Sequence, residues 1–179
     1  MGLHNTQIWI INHASTKVVI ILFIGYLIFP LALLPKIIPS GTTPPFDLLF
    51  YYDANTVYQM LADYGAEVRQ RYFWGCLLID SAYPLYYGAL ISMTIATILK
   101  HKGHDGTLGK LVFLPALAVM ADFSENALIV SLLYHYPQPL HWAANTLGYV
   151  TCSKWLMFAV IGLVILWLLT LHKPASSPS

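Results

Sequence analysis

The chain has 179 residues, 58% of them hydrophobic and only 9% charged, with a mean hydropathy of +0.64. Soluble domains carry about 25% charged residues, so this composition excludes an ordinary water-facing surface. A net charge of +1 excludes the broad basic field of a nucleic-acid module, and two cysteines, Cys76 and Cys152, exclude a disulfide scaffold.

Crossing a bilayer takes about 20 apolar residues, and four stretches qualify. They predict a single transmembrane domain over residues 1–179: an all-α integral membrane protein, a four-transmembrane-helix bundle with an extra amphipathic helix between spans one and two. The first span covers about residues 17–34. It is too long for a signal-peptide core and ends in Pro35-Lys36 without a cleavage site, so it reads as a retained anchor.

Residues 37–72 form the one long segment between spans. The turn-rich PSGTTPP opens it. An amphipathic helix follows over about residues 56–71, with Val57, Met60, Leu61, Tyr64, Val68 and Tyr72 on one face. Thr56 and Gln59 fit a capping box. On the opposite face Glu67 can pair with Arg71, four residues on. Such a helix lies on the outer surface and can run on into span two, either covering the bundle end or forming a lid over a cavity.

Span two covers about residues 73–99, span three 111–134 and span four 149–171. The tail HKPASSPS reads as a short disordered end. Lys100, Lys102 and Lys110 stand between spans two and three, whereas the link between spans three and four holds neither Lys nor Arg. By the positive-inside rule both termini are cytoplasmic, with Lys36, Arg69 and Arg71 as the discordant outer bases.

Four ionisable residues interrupt these spans: Asp80, Asp122, Glu125 and Lys154. At about 1.5 Å of rise per residue, all four fall in the outer half of the membrane. Charged groups inside spans are costly and normally face a bundle interior or wet cavity. On span two, Asp80, Tyr83, Pro84, Tyr87, Ile91 and Thr94 share one face; on span three, Asp122, Glu125, Asn126 and Ile129 do. Two polar stripes facing lipid would leave hydrogen bonds unmade, so they are expected to face each other. Pro84 has no N–H, which frees the carbonyl of Asp80 as an acceptor. Span four contributes Lys154 and Trp155, with Asn145, Tyr149 and Cys152 on one face.

Polar residues in spans also serve as interhelical glue, and Asn126 or Tyr87 alone would read that way. Three acids against one lysine do not cancel, so at least one carboxyl is expected to hold its proton. Arg69 or Arg71 entering from the outer end would change that count. A protonated acid beside an ionised one is the arrangement of general acid–base catalysis. The catalytic candidates are therefore Asp80, Asp122 and Glu125. Tyr83, Tyr87, Asn126, Asn145, Tyr149, Lys154 and Trp155 are the candidate substrate-binding residues.

His135 and His141 lack a third partner, so no metal site is expected, and no motif calls for a cofactor. Lipase, zincin, P-loop and thiol-redox signatures are absent from the sequence. The four-span outline with acids facing a cavity resembles small membrane isomerases and cyclases acting on sterols or isoprenoids, an architectural resemblance without a shared motif. Three functions follow. The first is a membrane enzyme performing acid–base chemistry, of isomerase or cyclase type, on a lipidic or isoprenoid-like substrate. The second is a proton- or cation-coupled transporter or channel subunit, for which a homo-oligomer would have to supply the missing inner pathway. The third is a non-catalytic lipid-binding or assembly protein. In each, the partners are membrane lipids and, for the enzyme, an apolar small molecule.

Overall fold

The computed structural model describes residues 2–37, 43–104 and 106–173. Residues 38–42, which include the first four of the PSGTTPP stretch, Asp105 and the tail from 174 onward lie outside the described residues. A short helix α1 (Leu3–His13) leads into α2 (Thr16–Lys36); α3 (Ala54–Asp63), α4 (Gly65–Lys102), α5 (Gly109–His135) and α6 (His141–Thr170) follow. Among the described residues there is no strand, and α2, α4, α5 and α6 are each long and apolar enough to cross a membrane. Helix α1 was not anticipated.

Local sequence explains the shape of each helix. Ser15 caps α2 by accepting a hydrogen bond from the Val18 N–H at 3.3 Å. Pro30 lies inside α2 and lacks a donor. The helix widens there into a π turn over Phe29–Leu33, closed by the Leu34 N–H on the Phe29 carbonyl. No residue of the first part of α2 is buried, and Ile20, Ile24, Ile28 and Leu31 are exposed.

The amphipathic helix expected over 56–71 is two helices. Gly65 has φ +70°, a left-handed conformation that a side chain would resist, and it separates α3 from α4. The second half of the expected helix is the first turns of α4, which begins at Gly65 and runs on into span two, the continuity the sequence allowed. Helix α6 begins at His141 rather than near 149. Hydropathy marks where a helix becomes apolar, not where its hydrogen bonding starts. The cap of α3 is Asp53 rather than Thr56: its carboxylate accepts from the Thr56 N–H at 2.8 Å and the Thr56 hydroxyl at 2.7 Å. These bonds hold the Asp53 carboxyl below the usual carboxylate range. Glu67 and Arg71 are both exposed and form no ion pair.

The predicted apolar face of α3 is buried, with Val57, Met60 and Leu61 turned inward. They join Phe46, Tyr52, Tyr72, Ile129 and Leu147 in a core under the 43–53 segment. Phe46 is fully enclosed by Tyr52, Tyr64 and Tyr72, at ring-centroid distances of 5.5, 5.7 and 6.2 Å. A second core at the other end joins Ile11, Ile95, Leu99, Val112 and Leu168. There the Lys100 ammonium donates to the carbonyls of Asn12 and Ala14, both at 3.2 Å. Lys102 donates to Leu169 at 2.8 Å and Leu171 at 2.7 Å. Cations at helix C-termini satisfy the last carbonyls, so these lysines fasten both α1 and the end of α6 to the same end of the bundle.

Candidate functional site

The site assembles where α4, α5 and α6 meet the 43–53 segment. On α4 a π turn over Cys76–Asp80 precedes Pro84, and Asp80 sits between the two irregularities. Its backbone carbonyl has lost the usual partner four residues on. The Asn126 side-chain amide donates to it instead, at 3.3 Å. This meets the expectation that Pro84 frees that carbonyl, and it locks α4 to α5.

Glu125 is fully buried, and Lys154 is 5% exposed. The Lys154 ammonium bonds directly to Glu125 Oε2. The other carboxylate oxygen accepts from the Thr151 hydroxyl at 2.5 Å. Thr151 has one hydroxyl proton and spends it on Glu125, so the Tyr52 hydroxyl, 2.9 Å from Thr151 Oγ1, is the donor in that pair. Burial pushes the Tyr52 phenol well above its ordinary value, which keeps that proton in place. The result is a saturated chain from Tyr52 through Thr151 and Glu125 to Lys154.

The other acids are held more loosely. Asp122, 5% exposed, accepts from the Tyr87 hydroxyl at 2.9 Å, and its second oxygen stands 3.9 Å from the Lys154 ammonium. Asp47 comes from the short turn Phe46–Leu48 and accepts from the Tyr72 hydroxyl at 3.1 Å. Asp80 is 7% exposed, and its carboxyl has no hydrogen bond or ion pair among the described residues. The side-chain oxygen of Asn126 is also buried without a partner. Thus Asp47, Asp80, Asp122 and Glu125, four carboxyls, are gathered around a single ammonium.

Arg69 and Arg71 do not alter that count. Arg69 donates to the Leu61 carbonyl at 2.6 Å and lies 4.2 Å above the Tyr136 ring, while Arg71 is exposed. Among the described residues, the ion pairs are the two that Lys154 makes.

A cavity of about 450 Å³ opens beside the cluster. Asp47, Asp122 and Lys154 form its polar end. Tyr26, Tyr83, Tyr87, Trp155 and Phe158 supply aromatic walls, with Pro30 and Leu34 of α2 closing one side. The Tyr83 hydroxyl donates to that of Tyr26 at 2.8 Å, which ties α2 to α4 across the cavity. The 43–53 segment covers the cluster: the Trp155 indole N–H donates to the Leu49 carbonyl at 3.0 Å. Gly148 allows the closest approach, since a Cβ there would lie 2.0 Å from the Tyr52 carbonyl oxygen. Deeper in the bundle, Ala118 and Ile161 are buried and pack with Ile91 and Ile165, so apolar side chains close the cavity from the far end.

Of the residues singled out from sequence, Asp80, Tyr83, Tyr87, Asp122, Glu125, Asn126, Lys154 and Trp155 lie in or against this cluster and cavity. Asn145 and Tyr149 do not. Asn145 is exposed, and Tyr149, 65% exposed, meets Tyr51 on the outside at 5.4 Å between rings. At about 100° per residue, Asn145, Tyr149 and Cys152 point about 180°, 140° and 160° away from Lys154. Thr151 is about 60° from it. Threonine three residues before the buried lysine was the legible signal, whereas the Asn-Tyr-Cys face turns away from that lysine. Asp47 and Tyr52 were also missed, because nothing in local periodicity brings a residue of a short connecting segment back to a helix pair, and so was Tyr26 of α2.

Among the described residues, no three His, Cys, Asp or Glu side chains are placed to hold a metal ion. His135 bonds back to the Ser131 carbonyl at 2.8 Å, and His141 faces the Tyr58 ring at 6.4 Å. Both cysteines are free. No protein-family model, curated protein or solved structure matches this chain.

Proposed function

We propose that this is a multi-pass membrane enzyme performing acid–base chemistry, of isomerase or cyclase type, on a lipidic or isoprenoid-like molecule held in the cavity. One observation carries the reading: Asp47, Asp122 and Lys154 form the polar end of a cavity whose other walls are mostly apolar and aromatic, with Glu125 bonded to that lysine behind the wall. Its volume lies within the roughly 300–1,000 Å³ of small-molecule sites. Buried charges that lack partners are too costly to persist. One ammonium cannot balance four carboxylates, so part of the set keeps its protons.

The contacts suggest a division of labour. Glu125, behind the cavity wall, is saturated by Thr151 and by Lys154, whose ammonium reaches the cavity's polar end, and this pair holds the site's geometry. Asp122 lines the cavity and shares Tyr87 and Lys154 as polar neighbours, so it is the group we assign to proton transfer. Asp80, without a partner beside the cluster, serves as the second acid or proton reservoir. Tyr83, Tyr87 and Trp155 stabilise positive charge developing on the ligand through their ring faces.

Membrane placement is supported by four sufficiently long apolar helices and by the exposed apolar side chains of α2, which suit lipid. Lys17, Lys100, Lys102 and Lys110 lie at the end opposite the site, which by the positive-inside rule supports an orientation with that end and both termini in the cytoplasm. The cavity then opens in the outer half of the bilayer. Conduction is disfavoured by the apolar packing of Ile91, Ala118, Ile161 and Ile165 beneath the cluster.

The test compares lipid extracts, by mass spectrometry, from cells making the wild-type protein, the Asp122→Asn variant, or neither. An apolar species that changes with the wild type alone supports the reading. Identical extracts from all three contradict it.

A further inference from the structure

We infer that the cavity accepts an amphiphile with a single positive charge at its polar end, of the class of long-chain tertiary amines. The inference rests on the acid–base reading of the same cavity and specifies what it recognises.

Charge at the polar end comes first. The Lys154 ammonium is already bonded to Glu125, whose second oxygen takes Thr151. Asp122 lies 3.9 Å from that ammonium and Asp47 has only the Tyr72 hydroxyl, yet both line the cavity. Behind this lining, the Asp80 carboxyl has no hydrogen bond or ion pair among the described residues, and the buried Asn126 side-chain oxygen has no partner. Each lining carboxyl takes one hydroxyl donor, Asp122 from Tyr87 and Asp47 from Tyr72, and has further acceptor capacity. An anionic headgroup would add charge of the sign already in excess. A ligand N⁺–H supplies a donor and a compensating charge together.

The walls give the same answer. Tyr26, Tyr83, Tyr87, Trp155 and Phe158 surround the cavity. Aromatic faces attract desolvated cations more than neutral groups. The Lys154 ammonium already stands 5.9 Å from the Trp155 ring centroid, so the cavity tolerates a cation over that indole. An alkyl body would extend along Pro30, Leu34 and Phe158.

The experiment titrates the full chain, purified in a non-ionic detergent, with N,N-dimethyltetradecylamine, tetradecanol and tetradecanoate. Binding is read as tryptophan quenching that disappears in Trp155→Phe. The amine is expected to bind about tenfold tighter than the alcohol, and the carboxylate more weakly than either. Asp47→Asn and Asp122→Asn should each reduce the amine's advantage while leaving the alcohol unchanged. Asp47 is in a turn outside the long helices, so its variant carries the test if Asp122→Asn fails to fold. Equal binding of amine and alcohol, or an advantage that survives the substitutions, overturns the inference and leaves acid–base chemistry on a neutral ligand standing. Absence of Trp155-dependent quenching by every probe overturns both.

Discussion

Asn126 donates its side-chain amide to the backbone carbonyl of Asp80, 3.3 Å away, at the carbonyl that Pro84 leaves without its helical partner. A sequence-imposed defect in one helix is thereby repaired by a side chain from the next. A buried acceptor left unpaired costs about 1–3 kcal/mol, so Asn126→Leu should destabilise the protein by about that amount. Pro84→Ala restores an N–H for the same carbonyl. In the double variant the Asn126→Leu penalty should shrink, and a double-mutant cycle by chemical unfolding in detergent measures the coupling. Strict additivity would show that the two residues do not share this acceptor.

The Lys154–Glu125 pair makes a second prediction. Removing one member of a buried ion pair strands the other's charge, at a cost of about 3–5 kcal/mol. Lys154→Met should therefore be among the most damaging single changes in the chain. Lys154→Met combined with Glu125→Gln should cost clearly less than the sum of the two singles, as read by thermal unfolding.

How much of this was legible beforehand follows from what periodicity can encode. Asp80 with Tyr83 and Tyr87, and Asp122 with Glu125 and Asn126, share faces because helical geometry fixes azimuth within one helix. On α6 the buried lysine should have set the reference direction, and Thr151 would then have been chosen over Asn145 and Tyr149. Asp47 and Tyr52 enter through the fold of a short turn segment, which no intrahelical spacing reports. The breaks at Gly65 and at the two π turns were similarly hidden: one glycine amid apolar and charged residues is ambiguous, and a π turn leaves the hydropathy of its helix unchanged.

The cover segment makes a third prediction. A Cβ at Gly148 would lie 2.0 Å from the Tyr52 carbonyl oxygen, a backbone atom that cannot rotate aside. Gly148→Ala should push residues 43–53 away from α6, cost about 1–3 kcal/mol as an overpacking change, and loosen the Tyr52–Thr151 and Trp155–Leu49 contacts. Limited proteolysis in that segment should accelerate, and Trp155 emission should shift toward that of a solvated indole. Unchanged cleavage would mean that the segment does not depend on this close approach.

A fourth concerns pH. The Asp53 carboxyl is held below its ordinary value of 3.8 by the Thr56 amide and hydroxyl. A carboxylate lowered in the folded state contributes stability above its unfolded value and loses it as pH falls through the folded one. The first turn of α3 should therefore begin to weaken as pH falls through the ordinary carboxylate value and lose the rest of this contribution on further acidification through the lower folded value. Asp53→Asn keeps an acceptor at the cap but removes the titration. Backbone amide exchange of residues 54–57 should become less pH-dependent in that variant.

Proton transfer between Asp122 and a bound ligand is the step on which the proposed function turns. Purified protein incubated in D₂O with the apolar lipid fraction of its own host should leave solvent deuterium on carbon in at least one lipid species, detected by mass spectrometry. The wild type should introduce that label and Asp122→Asn should not. Equal labelling by both proteins, or no labelling by either, would contradict the assignment.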